Sequence, residues 1–308
     1  MSERTGEIIG TGQVVKNLIV GADDLGWTEG VNRGILDAFR GGIVTSTSLL
    51  ANGMAFTDAV SAAKLAPGLG LGVHLNLSDG APVADRESVK SLLDDNGNFA
   101  GGPESLLLKR ARRSLVLAEV ELEWDAQIRK VRDAGIQPTH LDGHKHVHML
   151  PGLFEIALRQ AKKHGIEAIR VSLEESSLRA ALSSGRKQNP TVVMKQGVQA
   201  RGLKLLARDA REQAERAGIA TADYFCGIAQ TGELTRDGLE LFLKSLPEGT
   251  TELMCHPGYA DETLQKTATR LQASRQKELE LLTDRRIRNL VALQGIRLID
   301  YGYVTQGA

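Results

Sequence analysis

The chain has 308 residues with 38 basic and 38 acidic side chains, and only 4% of its residues are aromatic. This balance gives no electrostatic basis for binding nucleic acid or an anionic membrane, and so few aromatic residues argue against a base-stacking platform. The N-terminal residues are polar, no stretch has the apolar length of a membrane helix, and Cys226 and Cys255 form no CxxC pattern. We therefore expect a cytoplasmic protein with no nucleic-acid or membrane partner and with two buried thiols.

Short apolar runs alternate along the chain with longer segments of helical periodicity. The predicted strands are Asn17–Ala22, Val44–Leu50, Leu69–His74, Pro138–Asp142, Glu167–Val171, Ala222–Cys226, Glu252–Cys255 and Ile296–Ile299. The predicted helices are Glu29–Arg40, Ala55–Leu65, Pro103–Ala134, Pro151–His164, Val192–Ala217, Arg236–Leu246 and Glu262–Gln294. Residues 79–104 are predicted to form a loop, and residues 172–190 a polar excursion.

This regular alternation predicts an α/β fold with a parallel sheet and helices outside it. The number of strands favours a (β/α) barrel of seven to eight mostly parallel strands over a doubly wound sheet. No GxGxxG motif opens the first helix, so the dinucleotide-binding alternative lacks its main support. No linker divides the chain, and we expect a single catalytic domain over residues 1–308. Residues 1–15 would be a flexible N-terminal extension and residues 172–220 a variable excursion.

Four of the seven histidines lie close together, at positions 140, 144, 146 and 148. Imidazole is the commonest metal ligand in proteins and changes charge near neutral pH. In extended backbone these side chains and Asp142 would share one face, but Gly143 is expected to end or bend the strand. The pattern indicates a metal or acid–base site to which only part of the cluster contributes.

Polar side chains also follow three other predicted strands, where a barrel gathers its chemistry. They are the pair Asp23-Asp24, His74 and His256. One Asp and two His would hold a metal that activates water, while a neighbouring carboxylate takes a proton and a histidine protonates the leaving amine. The alternative interpretations are structural: the Asp pair would cap the following helix, and His256 would be a turn residue. If His256 has a chemical role, it would be a general acid or an oxyanion partner.

Several stretches together resemble the YdjC-like carbohydrate deacetylases, the family that includes chitooligosaccharide deacetylases. They are LIVGADDLGWTEGVNRGILDAFRGGIVTSTSLLANG, LGLGVHLNLSDGAPV, QPTHLDGHKHVHMLP and TELMCHPGYADE, with RQKELELL and GIRLIDY near the C-terminus. The resemblance implies a metal-dependent hydrolase on a deacetylase-like β/α barrel. Its small-molecule substrates would be N-acetylated carbohydrates containing N-acetylglucosamine, and the protein would form a homodimer.

By this resemblance Asp24, His74 and His144 match the metal ligands, Asp23 the general base and His256 the general acid. The implied cofactor is one divalent metal ion, magnesium or zinc in the first place and manganese or cobalt as alternatives. Gly21 and Leu25 depart from many relatives, but they flank the ligands and do not replace them. Residues 172–220 match poorly, which leaves the substrate open.

Two other functions remain open at this point. A metal-dependent phosphoesterase is one alternative, although such sites usually gather two metals and more carboxylates. A non-catalytic sugar-binding protein on the same fold is the other, but binding alone needs no proton shuttle. Arg170 and Tyr259 are candidate sugar contacts or structural residues, and His164 is expected to be a solvated helix cap. His140, His146 and His148 are left with supporting, rim or packing roles.

Overall fold

The computed structural model describes residues 15–184, 209–267 and 269–305. In this part of the chain seven strands form one sheet in which every pairing is parallel. The strands are β1 (Lys16–Leu25), β2 (Ser46–Leu49), β3 (Gly70–Leu75), β4 (Leu141–Gly143), β5 (Tyr224–Cys226), β6 (Gly249–Cys255) and β7 (Ile296–Leu298). Their order is β4-β3-β2-β1-β6-β5, with β7 paired to β1.

Strand β1 is the centre of this sheet. Its first seven residues pair with β6 along one edge, while the opposite edge is shared between β7 and β2. Between β4 and β5 the described residues form no strand ladder: Ile169 bridges Leu141, and Ala168 bridges Ala220, as single parallel pairs. The fold is therefore an open half-barrel, and the predicted strand Glu167–Val171 contributes isolated bridges instead of a ladder.

Helices surround the sheet. They are α1 (Glu29–Gly41), α2 (Phe56–Lys64), α3 (Pro103–Ala111), α4 (Leu117–Asp133), α5 (Phe154–Lys163), α6 (Ser176–Leu182), α7 (described over residues 209–217), α8 (Arg236–Lys244), α9 (Glu262–Gln265), α10 (Ala273–Leu282), α11 (Arg285–Leu293) and α12 (Tyr301–Val304). Two short 3₁₀ turns, Arg86–Ser88 and Lys90–Leu92, lie in the segment predicted as a loop.

Two long predicted helices are broken in the structure. Pro103–Ala134 divides into α3 and α4, and Glu262–Gln294 divides into α9, α10 and α11. At the first break Arg113 adopts a left-handed φ of 55°, which a continuous α-helix does not permit. Because helical periodicity is preserved on both sides of such a break, the hydrophobic pattern of the sequence did not reveal the break. Residues 1–14 of the predicted extension and 185–208 of the predicted excursion lie outside the described residues.

The sequence of β1 and α1 explains how the first polar pair reaches the sheet edge. Residues Leu18 to Val20 are fully buried, as expected for a parallel strand covered on both faces. After a short turn, the Thr28 hydroxyl accepts a hydrogen bond from the Val31 N–H and caps α1. The helix begins at Glu29, five residues after Asp24, so the Asp pair is free of the capping role. Within the described residues no helix is both long and apolar enough to cross a membrane.

Candidate metal and acid–base site

The two consecutive aspartates at the end of β1 point to different partners. Asp24 has a left-handed φ of 74°, a conformation that Asp tolerates better than most residues. Its side chain lies among His74 and His144, whereas Asp23 is held by Arg170. Both carboxylates are almost completely buried. The turn in the backbone thus directs the two adjacent side chains apart, so that Asp24 is a candidate metal ligand and Asp23 a candidate proton acceptor.

Three predicted ligands converge. Oδ1 of Asp24 lies 2.9 Å from Nδ1 of His144 and 3.5 Å from Nε2 of His74, and the two ring nitrogens are 3.4 Å apart. Donor atoms about 2.1 Å from one ion stand about 3.0–3.4 Å apart at angles of about 90–110°, so the triangle has the size of a coordination face. Asp24 Oδ1 makes no hydrogen bond of acceptable geometry to the described residues, which leaves it available to a cation.

Neighbouring groups orient each ligand. Nδ1 of His74 lies 2.8 Å from Oδ1 of Asp142, its pairing neighbour across β3 and β4, so Nε2 is left facing Asp24. Nε2 of His144 lies 3.2 Å from a carboxylate oxygen of Asp79. The second oxygen of Asp24 accepts a 2.5 Å hydrogen bond from buried Arg275. The residues therefore fit a single ion bound by one carboxylate oxygen and two imidazoles.

The charges around these histidines favour a cation. Burial alone lowers the pKa of His74, but Asp142 and Asp24 outweigh it and raise the pKa to about 10. Burial likewise lowers the pKa of His144, and the nearby Asp24 and Asp79 carboxylates raise it above its ordinary value. The same excess of negative charge that holds protons on these rings favours a divalent metal in their place.

Asp23 is held by a buried arginine. The two terminal nitrogens of Arg170 donate to its two carboxylate oxygens, each over 2.8 Å. Arg170 also contacts Asp142 at 2.8 Å and Glu252 at 2.8 Å, and only 1% of its side chain is exposed. The interpretation of Arg170 as a sugar contact is therefore wrong, because the guanidinium is enclosed by three carboxylates. Asp23, His74 and Asp142 form a second group of residues that could hold a metal ion. The positive charge of Arg170 already balances the two carboxylates of this group.

His256 follows β6 directly and is 8% exposed. Its backbone N–H donates over 2.6 Å to the Glu278 carboxylate on α10. Burial lowers the pKa of the imidazole to about 4, although Asp24 and Asp23 oppose the shift, so the ring is neutral near pH 7. A neutral imidazole can accept a proton at one nitrogen while donating from the other.

The other clustered histidines have separate partners. His140 stacks on Tyr301 with ring centroids 4.0 Å apart, and His148 donates from Nε2 to the Arg170 carbonyl over 3.0 Å. His146 shares a 2.8 Å hydrogen bond with the Ser172 hydroxyl. These contacts place the three rings in packing and supporting positions. Strand β4 ends at Gly143, and Lys145 and His146 then take a left-handed backbone, so His144 is the member of the histidine cluster that lies against Asp24.

Two further sequence interpretations are revised. His164 does end α5, but its side chain is only 8% exposed and pairs with Asp125 over 2.7 Å, so it is not solvated. The Tyr259 hydroxyl donates to Asp37 over 2.8 Å, and its ring lies against Arg33 of α1. Tyr259 thus has a structural contact with α1.

Sequence reasoning did not identify Asp79, Arg275 or Glu278 as parts of the site. Asp79 directly follows the polar alternation after β3, and Arg275 and Glu278 belong to the RQKELELL stretch. The sequence patterns indicated the segments that contain these residues, but they did not indicate which side chains of those segments point into the site. A cavity of about 220 Å³ adjoins the cluster and is lined in part by Trp27, Met54 and Asp79. The Trp27 ring lies 5.1 Å from the His144 ring, and Asp79 lies 3.2 Å from His144, so two residues that line the cavity are neighbours of a candidate metal ligand.

The chain matches the family model described as YdjC-like protein over residues 17–293. A carbohydrate deacetylase of Geobacillus stearothermophilus is 33% identical over 284 residues, covering 92% of this chain and 96% of that protein. A mouse carbohydrate deacetylase is 36% identical over 259 residues, covering 79% and 78%. A solved structure from Enterococcus faecalis V583, named for cellobiose-phosphate cleavage, is 27% identical with a TM-score of 0.74, and the match covers 94% of this chain and 98% of that one.

Proposed function

We propose that this chain, which belongs to the YdjC-like protein family, is a metal-dependent carbohydrate deacetylase that hydrolyses the acetamide of N-acetylated sugars. The observation that carries the proposal is the convergence of Asp24, His74 and His144 beside two further groups able to move protons, Asp23 and His256. Each belongs to the carboxyl end of a strand or directly follows one.

The metal would be held by Asp24, His74 and His144. A bound divalent ion polarises the acetyl carbonyl and lowers the pKa of a water molecule. Arg275 donates to one oxygen of Asp24 and leaves the other for the ion. Asp142 contacts Nδ1 of His74, so that Nε2 of this ring faces Asp24. We propose zinc or magnesium as the ion, as the resemblance implies, with manganese and cobalt as alternatives; the two imidazole donors favour zinc.

Asp23 would act as the general base. Its carboxylate keeps lone pairs beyond the two that Arg170 occupies, so it can accept the proton of the attacking water. Arg170 fixes the direction of this carboxylate, because a bidentate pair constrains both oxygens at once. Glu252 and Asp142 in turn hold the arginine.

His256 would deliver a proton to the leaving nitrogen. Its pKa of about 4 makes the resting ring neutral, so it must first take up a proton as negative charge develops on the substrate. The Asp23 and Asp24 carboxylates favour that uptake. The alternative role, donation of an N–H to the carbonyl oxygen, would use the neutral ring directly.

The substrate would enter through the cavity beside His144. Its volume of about 220 Å³ suits a small sugar, and Trp27 offers an aromatic face next to the ligand. We further propose N-acetylglucosamine-containing sugars as substrates, a single catalytic domain, a homodimer and a cytoplasmic location. These four points rest on the sequence and the resemblance.

The experiment measures acetate release from N-acetylglucosamine and its oligosaccharides by the purified protein, before and after chelation and with each metal restored. We expect activity to disappear with chelator, to return with one ion per chain, and to be lost in His144→Ala. His164→Ala is the matched control, because it removes a buried histidine that pairs with Asp125 on the helical layer. Full activity after chelation would refute the metal mechanism. Two ions per chain with phosphate-ester hydrolysis would favour the phosphoesterase.

A further inference from the structure

A small enclosed cavity adjoins His256. Its volume is about 10 Å³, and its lining includes Gln230 and Glu278. This is room for one water molecule, provided that two or more polar atoms bind it. Nδ1 of His256 and Oε1 of Gln230 are both buried, and neither has a hydrogen-bond partner among the described residues.

The orientation of the Gln230 amide is fixed from its other side. Its Nε2 donates to the Arg179 carbonyl over 3.2 Å and to the Ser183 hydroxyl oxygen over 2.7 Å. A carbonyl can only accept, and the Ser183 hydroxyl itself donates to the same carbonyl, so the nitrogen must face this pair. Oε1 of Gln230 therefore points away from them as an unused acceptor, in a residue only 2% exposed.

Glu278 is the other acceptor. Its two carboxylate oxygens accept backbone N–H groups, from Gly232 over 3.2 Å and from His256 over 2.6 Å. Each carboxylate oxygen keeps a further lone pair after such a bond. The residues lining the cavity thus include His256, which has an imidazole nitrogen without a partner in the described part of the chain, and two residues with free capacity to accept hydrogen bonds, Gln230 and Glu278.

We propose that one water molecule occupies this cavity, accepts the Nδ1–H of His256, and donates its two hydrogens to Gln230 and Glu278. The direction follows from the partners, since both acceptors require a hydrogen and water has two to give. His256 must then donate from Nδ1. Gln230 and Glu278 are accordingly positioning residues that fix the tautomer of His256 through water.

The tautomer decides between the two roles of His256, and this step rests on the proposed deacetylase function. With Nδ1 protonated, Nε2 of the neutral ring carries a lone pair and cannot donate to a carbonyl oxygen. It can accept a proton from solvent water and pass it to the leaving nitrogen. The Nε2–H bond then breaks, an N–H bond forms on the amine and the C–N bond of the amide breaks, while the attacking water forms the new C–O bond and loses its proton to Asp23. Glu278 stabilises the intervening imidazolium across the water.

The first test reads the tautomer directly. Nitrogen-15 NMR of the zinc-loaded chain distinguishes a protonated Nδ1 from a protonated Nε2, and the His256 signals are assigned by their loss in His256→Gln. We expect the Nδ1–H form at pH 7. A predominant Nε2–H form would overturn the proposal, whether or not the protein deacetylates any sugar. Failure to release acetate, with the Nδ1–H form present, would instead reject the proposed function alone.

The second test removes one water partner. Gln230→Met keeps the approximate volume of the side chain and deletes its amide, and we expect kcat to fall about tenfold, as for one hydrogen bond supporting a charged group. KM and bound metal should stay within about twofold, because neither the ligands nor the sugar cavity is touched. Gln160→Met is the matched control, since Gln160 is a fully buried glutamine on α5. Equal kcat values in the two variants would refute the role of Gln230.

Discussion

Replacing Arg170 by methionine tests the buried charge network most directly. The guanidinium makes contacts of 2.8–2.9 Å to Asp23, Asp142 and Glu252. Removing one partner of a buried ion pair costs about 3–5 kcal/mol, because the remaining charges stay desolvated and unpaired. At about 2 °C per kcal/mol for a chain of this size, Tm should fall by about 6–10 °C.

The assay compares thermal unfolding of the wild type and Arg170→Met in excess chelator, so that altered metal binding does not contribute. Arg159→Met is the control, because Arg159 pairs with Glu121 over 2.9 Å on the surface. An exposed pair contributes about 0–1 kcal/mol, and this variant should lower Tm by about 2 °C or less. Arg170→Lys should be intermediate, since it keeps the charge but loses the bidentate contact to Asp23.

The reasoning fails if Arg170→Met unfolds within about 2 °C of Arg159→Met. That result would mean that the buried carboxylates are neutralised or rehydrated without cost. A folded Arg170→Met with unchanged kcat would separately refute the orienting role of Arg170 on Asp23. The unfolding scans use the chelated protein, and kcat is measured on the same variants with the metal restored.

Three further changes probe other parts of the structure. Asp142→Asn should weaken zinc binding about 10–100-fold, because this carboxylate orients a metal-binding histidine; competition with a chelator measures it, and an unchanged Kd would exclude that role. Gly21→Ala should cost about 1–3 kcal/mol of stability, since its Cβ would lie 2.8 Å from a carboxylate oxygen of Glu252. Gly41→Ala, with nothing within 4 Å of its Cβ, is the control, and equal effects in urea unfolding would contradict the argument. Burial raises the pKa of Asp261, but backbone N–H groups at two helix starts outweigh it and lower the pKa in the folded state. The Asp261 carboxylate therefore stabilises the fold above its ordinary pKa of about 4, and this contribution is lost as pH falls through the lowered folded value. Asp261→Asn should be less stable than wild type at pH 7, with the gap narrowing below about pH 4; a constant gap would disprove the linkage.

Local patterns in the sequence were sufficient for most of the fold. The apolar runs of β1, β3 and β6 and the helical periodicity of α1 predicted these elements close to their observed bounds. Such patterns work because burial of a strand or of one helix face is a property of neighbouring residues. They failed where periodicity continues across a break, as between α3 and α4, and where an extended segment forms single bridges around Ile169.

The predicted α/β fold with a parallel sheet is confirmed, but the barrel is open, and its closure depends on contacts that no local pattern encodes. Whether β4 and β5 are joined by a ladder depends on the register of distant segments. That register is set by packing over the whole sheet.

By itself, the sequence determined which residue types are available for the chemistry and, through the family stretches, which of them match metal ligands. Asp24, His74 and His144 lie close together in the structure and could hold one ion. Their roles in metal binding and catalysis stay predictions.

Only the tertiary structure decided what surrounds those residues. It shows that Arg170, a candidate sugar contact or structural residue by sequence, is enclosed by three carboxylates, that Arg275 pairs with Asp24, and that Glu278 accepts the backbone N–H of His256. These partners are separated by up to 251 positions in the chain. The direction of a side chain and the loss of its water are consequences of packing. The sequence therefore determined which charged residues are present, and the fold determined which of them form buried pairs.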